Sequence, residues 1–219
     1  GDVVATHTVS VTPRDSAATP VEVTAPTANF TITTTAFSNV SNVPNPATSN
    51  NTSQHTFTFT TAAVMRTGNV LDLGLLDNGF NVGSVAPANI TWTSPSGAVA
   101  TLDIQVVASG AQNTLRIVYN GATTLSAGTH TIVVANIVNT PTVGNATVTA
   151  TLWKQNPVGG NPIVGPTISP PFAISGAQLT SVQSTPAVGS DVANRPNVTY
   201  TFRFTNSALV KATGKGKQN

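Results

Sequence analysis

The chain has 219 residues, 39% of them apolar and 7% charged, with a net charge of +2 and no cysteine. So few charges exclude the basic, aromatic-interleaved surface that nucleic acid requires. The missing cysteine excludes disulfides, thiol catalysis and cysteine-held metals. Most of the remainder is Thr, Ser, Asn, Gly and Pro. The many Val, Ile and Thr residues argue for pleated, half-buried strands rather than disorder. No stretch reaches the ~18 apolar residues of a membrane helix, so no membrane insertion of the mature chain is expected. No signal peptide is visible.

Residues 2–12 alternate, with Val3, Ala5, His7, Val9 and Val11 on one face and Val4, Thr6, Thr8 and Ser10 on the other. That period predicts a strand. Pro13 opens a turn, and residues 20–24 and 28–35 follow as strands. Residues 38–54, dense in Asn, Ser and Pro, read as a long loop. Residues 55–61 give the clearest strand, with Phe57 and Phe59 on one side and Thr56, Thr58 and Thr60 on the other. Residues 69–76 form the next, ended by Asp77, Asn78 and Gly79. Asn78-Gly79 and Asn120-Gly121 are hairpin signals, because both turn positions take positive φ. Further strands are expected at 88–93, 98–107, 114–119, 129–137 and 146–154. Residues 156–171, rich in Pro and Gly, read as a linker or an irregular crossover, and 177–184 as the start of another strand. No helical periodicity is sustained, and turns recur roughly every 8–15 residues, the rhythm of an antiparallel β-sandwich. Low aromatic content fits a thin core of Val, Ile and Leu between two sheets.

Two stretches share one order of side chains. His55, Phe57 and Phe59 in residues 52–68 stand where residues 197–214 carry Tyr200, Phe202 and Phe204, at an offset of 200 − 55 = 145. After Gly214 only residues 215–219 follow, so a second copy begins and is left unfinished. Two weaker echoes accompany it. Ala28-Asn-Phe-Thr resembles Ala177-Gln-Leu-Thr, at 177 − 28 = 149, and Ala5-Thr-His-Thr-Val-Ser-Val11 resembles Ala146-Thr-Val-Thr-Ala-Thr-Leu152. The N-terminus then ends one repeat, the middle is a whole repeat, and the C-terminus opens another. The expected organisation is an N-terminal strand segment at 1–26, a principal β-sandwich at 27–176, and a partial second module at 177–219.

Residues 189–213, with Val198-Thr-Tyr-Thr-Phe-Arg-Phe-Thr-Asn206, resemble the opening of the Ig-like repeats strung along prokaryotic cell-surface proteins. Residues 127–132 and 137–149 resemble the closing strands of such modules. The resemblance implies an Ig-like sandwich, an extracellular structural role and no catalytic residue. Subunits of extracellular filaments joined by donor-strand exchange are similar in kind. An incomplete module has an open edge. A strand lent by a neighbouring copy closes it, and head-to-tail exchange that does not close gives a filament. The donor is expected at 2–12, with Val3, Val4, Val9 and Val11 as candidate donor residues, or alternatively at 197–214. The competing expectations are a fragment of a longer tandem-repeat surface protein, and an adhesin or carbohydrate-binding module that contacts cell-surface glycans.

Nothing reads as an enzyme. The acids are Asp2, Asp15, Glu22, Asp72, Asp77, Asp103 and Asp191, and no pair has the setting that acid–base work needs. Asp77 reads as a turn former, and a calcium site shared with Asp72 is a minor alternative. His7, His55 and His130 show no metal-ligand spacing and read as surface residues of strands. No nucleophile elbow or phosphate loop is present, and no cofactor is expected. Arg203, Lys211, Lys215 and Lys217 read as a solvated end. Trp92, Trp153 and Tyr119 are the candidates for a sugar platform, to be decided by whether Trp92 and Tyr119 share an exposed face. Asn29, Asn39, Asn50, Asn51, Asn89, Asn145 and Asn197 each head an Asn-x-Ser/Thr triplet, the acceptor of N-glycans on secreted surfaces.

Overall fold

The computed structural model describes residues 5–7, 10–11, 25–26, 30–32, 35–75, 79–155, 162–176, 179–186 and 199–206. In chain order the strands are β1 (Ala5–His7), β2 (Ser10–Val11), β3 (Ala25–Pro26), β4 (Phe30–Ile32), β5 (Ser38–Asn45), β6 (Thr52–Thr61), β7 (Val70–Leu75), β8 (Ile90–Ser94), β9 (Gly97–Val99), β10 (Ile104–Val107), β11 (Thr114–Tyr119), β12 (Gly128–Val138), β13 (Gly144–Ala146), β14 (Val148–Trp153), β15 (Val164–Ile168), β16 (Phe172–Ile174), β17 (Leu179–Pro186) and β18 (Tyr200–Asn206). Among the described residues, helix is limited to single 3-10 turns at Pro87–Asn89 and Thr101–Asp103.

Two five-stranded antiparallel sheets, ordered β5-β6-β12-β8-β9 and β10-β11-β7-β14-β15, form a sandwich. Its core follows from period-2 patterning. On β6, His55, Phe57 and Phe59 turn inward while the intervening threonines stay partly exposed. Ile132 and Val134 continue that face onto β12, and Ile90 and Trp92 onto β8. The opposite sheet contributes Leu71, Leu73 and Leu75 of β7, Leu115, Ile117 and Tyr119 of β11, and Val148, Ala150 and Leu152 of β14 to the same cluster. Burying such a side chain stabilises by about 1.5–3 kcal/mol. β7 is buried along its whole length because it is central, and its outward Asp72 is covered.

Three local expectations are corrected. Residues 38–54 contain β5, not only a loop. Val40, Asn42 and Pro44 alternate inward on it, and as an edge strand it tolerates the prolines that disguised it. Residues 156–171 contain β15, the opposite sheet's edge, which carries Pro166. Neither Asn-Gly marks a hairpin. β7 and β8 lie in different sheets, as do β11 and β12. Gly121 is required by space instead: a Cβ there would overlap the Tyr119 hydroxyl and ring. Gly79 takes φ +105° and sits against Pro141. Asp77 and Asn78, like the expected strand at 20–24, lie outside the described residues.

The remaining strands pair two by two: β1 with β4, β2 with β3, β13 with β16, and β17 with β18.

Candidate functional site

The hairpin β17–β18 is a second casting of β5–β6. In the sandwich, Ser38 faces Thr60 and Ser41 faces Thr58 across a bulge. In the hairpin, Thr180 faces Thr205 and Gln183 faces Arg203 across the same irregularity. Both first-strand offsets are 142 (180 − 38 and 183 − 41), and both second-strand offsets are 145 (205 − 60 and 203 − 58). Each bulge holds a non-glycine residue with φ of 53°, Asn39 and Ser181, again 142 apart. Beyond the bulge, Asn42–Phe57 and Pro44–His55 correspond to Ser184–Phe202 and Pro186–Tyr200. The counterpart of β17 in the repeat is therefore β5, not the segment 28–31 to which the sequence echo pointed.

The two castings differ in what covers them. His55, Phe57 and Phe59 are 0%, 1% and 1% exposed, whereas Tyr200, Phe202 and Phe204 are 52%, 67% and 57% exposed. The three aromatics alternate along β18 and so line one face, with the Tyr200 and Phe202 ring centroids 6.3 Å apart. Val182, on β17, is also exposed. Soluble proteins seldom leave such a row of aromatics open unless it meets something.

The buried stripe shows what cover looks like. Phe59 packs edge-on against Phe37 at 5.0 Å and stacks on His130 at 5.2 Å. His55 meets Phe80 at 6.0 Å and Phe172 at 6.5 Å. Its hydrogen bonds fix its tautomer. Asn139 gives both amide hydrogens to the carbonyls of Pro46 and Thr48, at 3.0 and 2.9 Å. Its Oδ1 then accepts from His55 Nε2 at 2.9 Å, and His55 Nδ1 accepts from Asn42 Nδ2 at 2.9 Å. Burial pushes His55 down to about 4, a shift that the Asn139 hydrogen bond partly offsets, so the ring is neutral near pH 7. Burial also lowers His130, with the Ser126 backbone partly offsetting it. His130 Nδ1 accepts from Trp92 Nε1 at 3.1 Å, and Nε2 has no well-formed hydrogen bond. Both histidines are interior, which corrects the surface reading. Their neighbours in the alternation, Phe57 and Phe59, Ile132 and Val134, carried that signal. Asn42 and Asn139, which hold His55, had no sequence signal of their own.

Trp92 and Tyr119 are both 1% exposed and meet edge-on at 6.2 Å, so they are core and form no sugar platform. Trp153 is half-buried and donates Nε1 to Asp72 Oδ2 at 3.1 Å. Arg116 grips the same carboxylate through Nε and Nη2 at 2.8 and 2.7 Å. Asp72 is thus occupied in clamping β11, β7 and β14. Asp77 of the suggested calcium pair lies outside the described residues. Of the glycan candidates, Asn39 and Asn145 are exposed, and Asn50, Asn51 and Asn89 are half-buried. Asn29 and Asn197 lie outside the described residues. Of the candidate donor residues, Val11 sits in β2 opposite Ala25, and Val3, Val4 and Val9 lie outside the described residues.

No family model and no curated protein matches the chain. Among solved structures it is similar to BslA, a bacterial hydrophobin, at TM-score 0.35 and 16% identity, over 63% of this chain and 97% of that one. It is also similar to the RrgA Jo.In complex at TM-score 0.32 and 14% identity, over 62% and 76% of the two chains. Identities and scores this low carry no functional argument. The all-β sandwich rests on this chain's own sheets.

Proposed function

We propose that the protein is a structural component of a cell surface or extracellular matrix that joins head-to-tail with copies of itself by β-strand complementation into a filament, and that it is glycosylated. The observation that carries this reading is the exposed aromatic face of β18, which repeats residue for residue a face that the sandwich buries. An isolated two-stranded hairpin is marginal in water, and a neighbouring sheet would supply both hydrogen bonds and cover. No catalytic residue, cofactor or metal is assigned in this reading. Exposed Asn39 and Asn145 are the leading glycan sites, and sugars would solubilise a surface so poor in charge. A native mass equal to the polypeptide's 22.3 kDa removes the glycans from the proposal.

Electron microscopy and sedimentation of the purified protein test assembly, with Phe202→Asp as the control. Threads or oligomers that Phe202→Asp abolishes, with the sandwich still folded by near-ultraviolet circular dichroism, are the expected result. Monomers at every concentration tested overturn it. The same repeat favours a second reading, a unit of a tandem-repeat surface protein in which a covalently linked module covers the face. Persistent monomers would leave that reading standing.

A further inference from the structure

We propose that the aromatic face of β17–β18 is covered by the N-terminal hairpin, β1–β4, of a second copy. This rests on the self-assembly reading above and names its partner surface.

The N-terminal hairpin is a casting of the sandwich's closing hairpin, as β17–β18 is of the opening one. Ala5 pairs with Ile32 and Val11 with Ala25, while Ala146 pairs with Phe172 and Leu152 with Val164. First-strand offsets are 141 at both ends (146 − 5 and 152 − 11), and second-strand offsets are 140 and 139 (172 − 32 and 164 − 25). The inward residues of β14, Val148, Ala150 and Leu152, align in sequence with His7, Val9 and Val11.

In the sandwich these two hairpins touch directly. Gly165 N–H donates to the Thr35 carbonyl at 2.9 Å, and Phe37 N–H donates to Thr167 Oγ1 at 3.1 Å. Ser49 N–H donates to the Ser175 carbonyl at 2.9 Å, and Ser175 N–H to the Ala47 carbonyl at 2.7 Å. Phe172 of the closing hairpin lies against His55 of the buried stripe. By the register correspondences, Tyr200 occupies the place of His55 and Ile32 that of Phe172. The face that β18 exposes is thus of the kind a closing hairpin covers, and the chain carries a second closing hairpin at its other end. Tyr200, Phe202 and Phe204 are exposed, and in the self-assembly reading their cover comes from another molecule. A contact between opposite ends of successive copies is heterologous and propagates.

The chain lacks cysteine, so introduced thiols are unambiguous. Tyr200→Cys and Ile32→Cys proteins are mixed and treated with a short bis-maleimide, and the products are mapped by mass spectrometry. The expected product is a 200-to-32 link between two chains, absent from either variant alone and suppressed at least tenfold when the Tyr200→Cys partner also carries Phe202→Asp. Because a cysteine at position 32 could disturb its hairpin, Thr6→Cys serves as a second donor-side probe with the same expectation. A 200-to-200 product shows hairpin faces meeting each other and overturns this inference while self-assembly stands. A link within one chain, when Ile32→Cys and Tyr200→Cys are combined in the same protein, also overturns it. Sedimentation as monomers, with no crosslink, sinks the self-assembly reading as well.

Discussion

β6 and β18 carry one pattern in two environments. The strands share register, bulge and the positive-φ residue opposite, yet one row of aromatics is sealed in the core and the other stands in solvent. Local sequence accounts for what is common: alternation sets the face, and the bulge sets the twist. Only the opposing sheet accounts for the difference. Phe57 is buried because β7, β14 and β11 place Leu71, Val148 and Ile117 in the same cluster with it. Phe202 has no such layer above it among the described residues. A strand's apolar face is therefore half of a contact, and the hairpin at 179–206 presents that half alone.

The largest effect that sharpens this contrast is the paired truncation of the two phenylalanines. Phe57→Ala should cost about 3–5 kcal/mol, from lost transfer energy plus the cavity left in a close-packed core. Phe202→Ala should stay within about 0.5 kcal/mol in dilute protein, as for exposed positions generally. Urea unfolding followed by Trp92 fluorescence reads both. Similar losses at the two positions would mean that β18 is covered within a single chain, and the contrast would collapse.

The next effect concerns the first position of each stripe, His55 against Tyr200. The folded-state value of His55 is about 4, below the ordinary 6.5, so between these pH values the unfolded chain binds more protons than the folded one. Stability is then complete above pH 6.5 and falls as pH drops toward 4, by on the order of 3 kcal/mol from this residue. His130 is shifted in the same direction and adds to the slope. The hairpin carries Tyr200 at this place. His55→Gln should lower stability at pH 7 and flatten the loss between pH 6.5 and 4. Urea midpoints at pH 7, 5.5 and 4 check it, and an undiminished slope in the variant would assign the acid response elsewhere.

Much of the sandwich could be read from the chain because alternation is a local signal. The strands at 55–61, 114–119 and 129–137 lie where period 2 places them, and the pairing of Phe57 with Phe202 was legible as a repeat. What failed depended on partners far away in sequence. β5 was masked by Asn and Pro, residues that an edge strand accepts and a central one rejects. Asn120-Gly121 reported a sharp change of direction, while whether the chain re-enters the same sheet is decided by the layer it next packs on. Flanking threonines made His55 and His130 look like surface residues, since alternation shows which residues share a side and not which side is covered. The aromatic face of β18 was visible as a pattern, but its exposure required coordinates.

The smallest effect probes whether the two castings share backbone geometry as well as order. Asn39 and Ser181 both take φ of 53°, a region that Asn adopts more readily than Ser and that β-branched residues avoid. Asn39→Val should therefore cost about 1–2 kcal/mol in global unfolding, and Asn39→Gly should be neutral within a few tenths, because glycine meets no steric penalty there. Ser181→Val should leave global unfolding unchanged, since the sandwich does not depend on the hairpin. It should instead weaken the crosslink between positions 200 and 32, while Ser181→Gly preserves that link. If valine is tolerated at 39 and 181 alike, the bulge is not what fixes the register, and the equivalence of the two hairpins reduces to their side chains. If it is rejected at both, each by its own readout, the chain has made one backbone device twice and covered it once.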